Sequence, residues 1–476
     1  MGLRVSDLVS TGVFTLKQYA AWLALAGLII KFGGSAYGED QPLRYLAFQF
    51  FTPSGGAQSP FFYVQLKDLL TVTSKLKDTI GVTGTDNRHL GFILGPLSFD
   101  NTDEEIRELI ASGFDTALKT GVAVGFHIDD SMFWGRLKEL NTPENIEWLD
   151  WGGAPSGGRG VKWDPPNKTR ILPPLCLNSR GVLHAVRVRA ALIGNEIAKG
   201  IMKLREAGEQ ELFIGVIAGW ETQIGRDFDT WKTVGFCALT NAGYSKENPP
   251  AHIDAARSQI VGAFIDLWAQ ALTEAGVPHG KVYSHVPLDS KEMASSAFCG
   301  FCVPGASTYP FPGFVDMWRK VLADHGNPRW ASSEGTAMDP REARHGGRGI
   351  GMEGYLGSLF NHGAVLVNIF GWRLGDESNP FRKIAEGPDA LAAYRKFLGG
   401  EKLGEAQVPD LLSTLPTNLR IKIQKVEATL PGWLRNHDSA QIQGNVDILG
   451  QAVEDQRYND AERAIDAILE KIDQKD

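Results

Sequence analysis

The chain has 476 residues, 43% hydrophobic and 22% charged, with a formal net charge of −8 and a pI near 5.8. That composition is ordinary for a soluble globular protein, and the length calls for more than one core or for one large, loop-decorated barrel. No basic block is present, so no nucleic-acid partner is expected, and the size excludes a small scaffold held by its 4 cysteines.

Taken in chain order, the N-terminus comes first. Arg4 and Lys17 precede an apolar run over residues 20–30, and Gly34 and Ala36 fit a cleavage site after Ala36. Residues 1–38 are read as a signal peptide or N-terminal anchor, and the protein as secreted or periplasmic. The run falls short of the about 20 residues that a span needs. No stable membrane insertion is expected after cleavage.

Short apolar runs then alternate with helical patterns. A strand over 45–52 precedes a helix over 63–80. A second strand, 89–94, leads to Thr102, an N-cap with Glu105 as its capping-box partner, and a helix reaching about residue 120. The third strand covers 122–128, and a Trp-, Gly- and Pro-rich insertion follows from 129 to 179. A helix over 181–207, a fourth strand over 212–218 and a helix over 252–275 come next. The fifth strand is 281–286, the sixth lies near 297–303, the seventh is 329–333 and the eighth 364–370, before a helix over 380–398. Between Val286 and Ala297 there is too little chain for a full helix, so the outer ring is expected to be incomplete there. Beyond residue 400, apolar residues recur every three or four positions in helices over 419–430 and 441–472, interrupted at Arg457-Tyr-Asn-Asp.

Strands alternating with helices imply parallel pairing, because a parallel connection needs a long crossover. The strands are apolar throughout, as expected where both faces are covered. A doubly wound sheet would place a glycine-rich phosphate turn after strand one, and Thr52-Pro-Ser-Gly-Gly-Ala-Gln-Ser-Pro lacks that spacing. The expected fold is therefore an α/β (β/α)₈ TIM barrel over residues 39–400, with a long loop insertion after strand 3 and a small C-terminal helical appendage over 401–476.

Barrel enzymes carry their chemistry at the C-terminal ends of the strands. Strand four runs into Gly219-Trp220-Glu221, and strand seven into Ser332-Ser333-Glu334. Two carboxyl groups facing each other are what retention at a glycosidic bond requires, one as acid and one as nucleophile. Apolar surface from Trp220 would keep Glu221 protonated, and hydrogen bonds from Ser332 or Ser333 would keep Glu334 ionised. Tryptophans at 134, 148, 151, 163, 220 and 372 adjoin loop residues, where they either stack on flat apolar faces such as sugar rings or pack beneath the loops.

Other clusters keep two readings each. His127-Ile-Asp-Asp130 could bind a metal, or could contact substrate hydroxyls through His127 and Asp129. His285 ends strand five and either faces the site or is structural. Arg341, Arg344 and His345 either clamp an acidic sugar or line an exposed loop. Asp150 and Asp164 are loop or subsite residues. Cys299 and Cys302 have redox or zinc spacing without a second ligand pair, so free thiols or one disulfide are expected. No G-x-S-x-G elbow and no phosphate loop occur.

The two glutamates at the ends of strands four and seven resemble the layout of the large clan of retaining β-glycosidases built on this barrel. That resemblance implies Glu221 as acid/base and Glu334 as nucleophile. It also implies Tyr309 as the tyrosine that hydrogen-bonds the nucleophile, His127 as a substrate-binding histidine, and Phe370-Gly-Trp372 as an aromatic floor. The clan places Asn before its acid/base, where this chain has Trp220. The expected function is a retaining glycoside hydrolase that acts on a carbohydrate without a cofactor or metal, with Trp220, His285 and Trp372 among its substrate contacts. The alternatives are a metal-dependent barrel hydrolase using His127, Asp129 and Asp130, and a non-catalytic carbohydrate-binding barrel.

Overall fold

The computed structural model describes residues 42–53, 64–129, 133–160, 170–227, 229–230, 232–310, 314–338, 350–406, 415–433, 440–454 and 457–474. The signal-peptide reading of residues 1–38 lies outside them, as do Asp130, Trp163, Asp164, Arg341, Arg344 and His345. Residues 43–476 form one compact unit.

Eight strands build the barrel: β1 (Arg44–Phe51), β2 (Arg88–Leu97), β3 (Ala123–Ile128), β4 (Phe213–Ala218), β5 (Val282–Ser284), β6 (Gly305–Ser307), β7 (Trp330–Gly335) and β8 (Ala364–Ile369). Neighbours pair in parallel from β5 through β4, β3, β2, β1, β8 and β7 to β6. Parallel bridges Tyr283–Val303 and Val286–Ala306 close the ring between β5 and β6. The strands are buried almost without interruption, because helices cover one face and barrel-filling side chains the other. On β4, Gly215 has φ +143, and a Cβ there would lie 2.4 Å from Lys281 O, so the backbone leading into β5 occupies the space a side chain would need.

The covering helices are α1 (Leu69–Ile80), α2 (Asp103–Thr120), α3 (Arg180–Ala207), α4 (Phe236–Asn241), α5 (Ile253–Glu274), α6 (Lys291–Ser295), α7 (Phe314–Asp324), α8 (Met352–Phe360), α9 (Pro380–Glu386) and α10 (Pro388–Leu398). The capping box of α2 forms as expected, Glu105 N donating to Thr102 Oγ1 and Thr102 N to Glu105 Oε2. The fifth unit holds only the five-residue α6. The expected helix over 380–398 divides at Gly387, where Pro388 opens a second helix.

The sixth strand is displaced from its expected position. Residues 299–302 form a turn closed by a Cys299–Cys302 disulfide, and the strand begins at Gly305. Cys176 and Cys237 are free and buried.

The insertion after β3 contains a two-residue antiparallel ribbon, Arg159–Gly160 against Arg170–Ile171. It is tied to the chain beyond β4. Ser156 Oγ and Gly157 N donate to Asp227 Oδ2, and Cys237 N donates to the buried carboxylate of Glu147. Trp134 is buried, Trp148 donates to Pro143 O, and Trp151 meets Phe236 edge-on, so these three tryptophans fasten the loop. Beyond the barrel, α11 (Thr417–Trp433), α12 (Ala440–Glu454) and α13 (Tyr458–Asp473) bury small clusters of their own around Leu419, Ala452 and Ile465, and around Trp433, Ile442 and Ile468.

Candidate active site

The C-terminal mouth of the barrel brings together most of the residues singled out above. Glu334 lies within the last turn of β7, buried to 5% exposure. A register shift places Ser307 of β6 opposite Glu334, while Ala306 pairs with Ser332. The extra residue on β7 is what a bulge supplies, and bulges re-aim side chains near functional sites. It also sends the two serines away from the carboxylate. Ser332 Oγ pairs with Thr308 Oγ1, and Ser333 Oγ donates to Ser284 O at 2.6 Å. The expectation that Ser332 or Ser333 stabilises Glu334 therefore fails, because both hydroxyls are spent on neighbouring strands. The donor is Tyr309, whose hydroxyl lies 2.8 Å from Glu334 Oε1.

Glu221 stands three residues past the end of β4, after Gly219 at φ +99, and itself adopts φ +49. A left-handed glutamate is uncommon and carries strain that surrounding bonds must hold. One such bond is Thr222 N to His285 O, 2.9 Å. The Glu221 carboxyl meets Ser307 Oγ at 2.6 Å from Oε1.

Burial and the adjacent charge of Glu221 raise the Glu334 carboxyl from 4.5 to about 8, and hydrogen bonds from Tyr309 and Trp220 pull it down. The Trp220 contribution is the weaker one, and among the described residues Glu334 Oε2 has no partner within hydrogen-bond geometry. The two carboxyls interact, so this behaviour belongs to the pair, whose last proton leaves well above the usual carboxylate range. Tyr309 is held neutral by burial and by both glutamates.

His127 and His285 are fully buried. His127 stacks flat on Trp220, with centroids 3.9 Å apart and an interplanar angle of 3°. Its Nδ1 is 2.9 Å from Gln49 Oε1, and its Nε2 is 3.0 Å from both Gly219 O and His285 Nδ1. His285 Nε2 is 2.8 Å from Ser307 Oγ. Both rings reach the mouth through protein partners and expose no edge to it, which leaves neither nitrogen of His127 for a metal. Among the described residues no group of three or more His, Cys, Asp or Glu is placed to hold one. Asp129 is buried just beyond β3.

Trp372 packs edge-on against Phe48 as part of the main core and is 7% exposed. Its neighbour Phe370 meets Tyr309 at 6.2 Å, as Phe381 does at 6.5 Å, and clusters with Trp220, Phe51 and Phe381. The sequence reading missed Gln49, Ser307, Thr308 and Asn368. Gln49 and Asn368 stand inside otherwise apolar strands, YLAFQFF and AVLVNI, and a polar residue there must find a partner inside the barrel. That was the available signal.

No protein-family model and no curated protein matches the chain. Among solved structures it is similar to a GH26 beta-mannanase from Bacteroides ovatus, BoMan26A, at 13% identity and a TM-score of 0.33, over 75% of this chain and 89% of that one.

The raised carboxyl has a stability consequence. An unfolded glutamate releases its proton near 4.5 and the folded pair releases its last one near about 8, so the folded state loses stability as pH rises through that window. Glu334→Gln removes the second charge. Its melting temperature relative to the parent should climb between about pH 5 and about pH 8, measured by calorimetry. A difference that stays flat across that range would contradict the pairing.

Proposed function

We propose that the protein is a retaining glycoside hydrolase that cleaves O-glycosidic bonds of an oligo- or polysaccharide by double displacement. The observation that carries this reading is the pair itself. Glu221 and Glu334 project from β4 and β7, which are not neighbours in the barrel, yet the charge of one raises the other. Two carboxyls at one mouth, Glu334 buried and Glu221 half-buried, with a phenol on Glu334, suit a reaction that needs an acid and an anion at the same bond.

Glu334, oriented by Tyr309, attacks the anomeric carbon as the glycosidic bond breaks, and Glu221 gives its proton to the leaving oxygen. Glu221 then takes a proton from water, whose oxygen displaces Glu334 and releases the sugar with its starting configuration. Trp220 and Phe370 supply apolar surface beside the pair. Residues 1–38 support export by the pattern already described, and a Cys299–Cys302 disulfide suits an oxidising compartment.

A panel of aryl β-glycosides and polysaccharides, assayed with the parent and with Glu334→Ala, tests the reading. Activity should fall by at least about 10³-fold in the variant. Added azide should restore turnover of an activated aryl glycoside and give a glycosyl azide of inverted configuration. Undiminished activity in Glu334→Ala would remove the proposal. Export is checked by fractionating an expressing culture: the mature protein should appear outside the cytoplasm and begin after Ala36, and retention in the cytoplasm at full length would refute it.

A further inference from the structure

The N-terminal end of the barrel, opposite the mouth that holds Glu221 and Glu334, carries polar groups of its own. Tyr45 and His89 are the second residues of β1 and β2, Lys281 immediately precedes β5, and Glu211 lies two residues before β4. This end of the fold ordinarily serves stability. Here it holds a cavity of about 520 Å³, within the size range of small-molecule sites, whose lining includes Asp86, His89, Gln210, Glu211 and Lys281. We propose that this cavity is a covalent binding site, in which the Lys281 amine condenses with a small neutral hydroxyaldehyde, the class to which open-chain aldoses belong, to form an imine. The site does not depend on the glycosidase reading above.

The hydrogen bonds of Lys281 suit a neutral amine. Its Nζ lies 2.9 Å from Phe213 O and 3.0 Å from the Tyr45 hydroxyl. Phe213 O only accepts. Tyr45 gives its own proton to a carbonyl, Glu211 O at 2.9 Å, so it too accepts from the lysine. A neutral amine has two hydrogens, and these two bonds use both. Its third tetrahedral position is then a lone pair, where an ammonium would carry another hydrogen. Lys199, Lys291 and Lys396 each pair with a carboxylate. Among the described residues no carboxylate pairs with Lys281, whose hydrogen-bond partners are both neutral oxygens. The Tyr45 ring, 4.6 Å from Nζ, favours the charged form. Burial outweighs it and lowers the amine from 10.5 to about 8.

His89 supplies the proton transfers that the condensation needs. It packs on the same tyrosine, with ring centroids 5.6 Å apart, and burial and the charge of Lys281 keep it neutral against the pull of Glu211. The Lys281 lone pair adds to the carbonyl carbon, and the carbonyl π pair becomes an alkoxide that takes a proton. His89 accepts a proton from the new C–N nitrogen and gives it to the hydroxyl, which leaves as water while the nitrogen pair forms the C=N bond. Nothing is oxidised or reduced. The lining sets the class of carbonyl compound. Gln210 and the carboxylates of Asp86 and Glu211 accept hydrogen bonds from hydroxyl groups, and the two negative charges oppose a carbonyl compound that carries a carboxylate of its own. Asp86 and Gln210 are exposed, so the site is entered from the solvent side of the barrel floor.

The test uses the unaltered protein, incubated with glyceraldehyde and cyanoborohydride at about pH 7.5, a pH chosen to lie below the ordinary lysine range. Cyanoborohydride reduces each imine to a stable amine, and peptide mass analysis then gives the rate at every lysine. Lys281 should be alkylated at least about tenfold faster than the exposed Lys246, because a far larger fraction of it is free amine at that pH. The rate at Lys281 should level off as glyceraldehyde is raised, while rates at exposed lysines rise in proportion. A Lys281 rate no greater than that of Lys246, or one that never saturates, overturns the proposal. Glyoxylate, an aldehyde with a carboxylate, should favour Lys281 over Lys246 less than glyceraldehyde does, and an equal or greater preference overturns the assigned class. His89→Gln should slow the Lys281 reaction at least about fivefold and leave Lys246 unchanged, a loss in keeping with removal of an acid–base group. An undiminished Lys281 rate in that variant counts against the site.

Discussion

Two carboxyl groups meet at one barrel mouth, Glu334 buried and Glu221 half-buried, and the charge of Glu221 opposes ionisation of Glu334. The structure answers that repulsion locally. Tyr309 gives Glu334 a donor, Ser307 meets Glu221, and aromatic surface from Trp220, Phe370 and Phe51 closes the space between β1, β4 and β8. The cost is visible in the backbone, where Glu221 is held at φ +49 by a turn anchored on His285. Strain of this kind persists where neighbouring contacts over-determine a conformation. The barrel supplies them because β4, β5 and β6 reach the mouth side by side.

The barrel was legible because its logic is repetitive. Short apolar runs alternating with helical patterns have few other solutions, and the ends of β4 and β7 drew attention to Glu221 and Glu334. Register was not legible. The position of β6 depends on a turn at residues 299–302 and on a strand of Gly, Ala and Ser that carries no hydrophobic pattern. The shift on β7 turned Ser332 and Ser333 away from Glu334, and no local residue preference announces such a shift. His127 and His285 were recognised as strand-end histidines, but their roles depend on Gln49 and Asn368, more than 70 residues away from them in sequence. Each looks unremarkable until the barrel closes around it.

Asn368, Gln49, His127, His285 and Ser307 form a connected layer of polar side chains across the barrel interior. Replacing it with apolar side chains would fit the usual barrel interior and would relieve the cost of ordering several buried amides and rings. Its members instead connect, one bond at a time, to the carboxyl that the proposed reaction requires as an acid. The stacking of His127 on Trp220 ties the same layer to the apolar wall beside Glu334, so both carboxyls take their environment from one set of contacts.

The central claim is that Glu334 is the nucleophile of a two-step displacement. The most direct measurement is trapping with a 2-deoxy-2-fluoro glycosyl fluoride of the sugar that the enzyme turns over best, followed by intact-mass and peptide analysis. The account predicts one covalent sugar per chain, attached at Glu334, with slow recovery of activity as the adduct hydrolyses. Turnover that proceeds with no adduct and with inverted configuration, or an adduct on a different carboxylate, would contradict it.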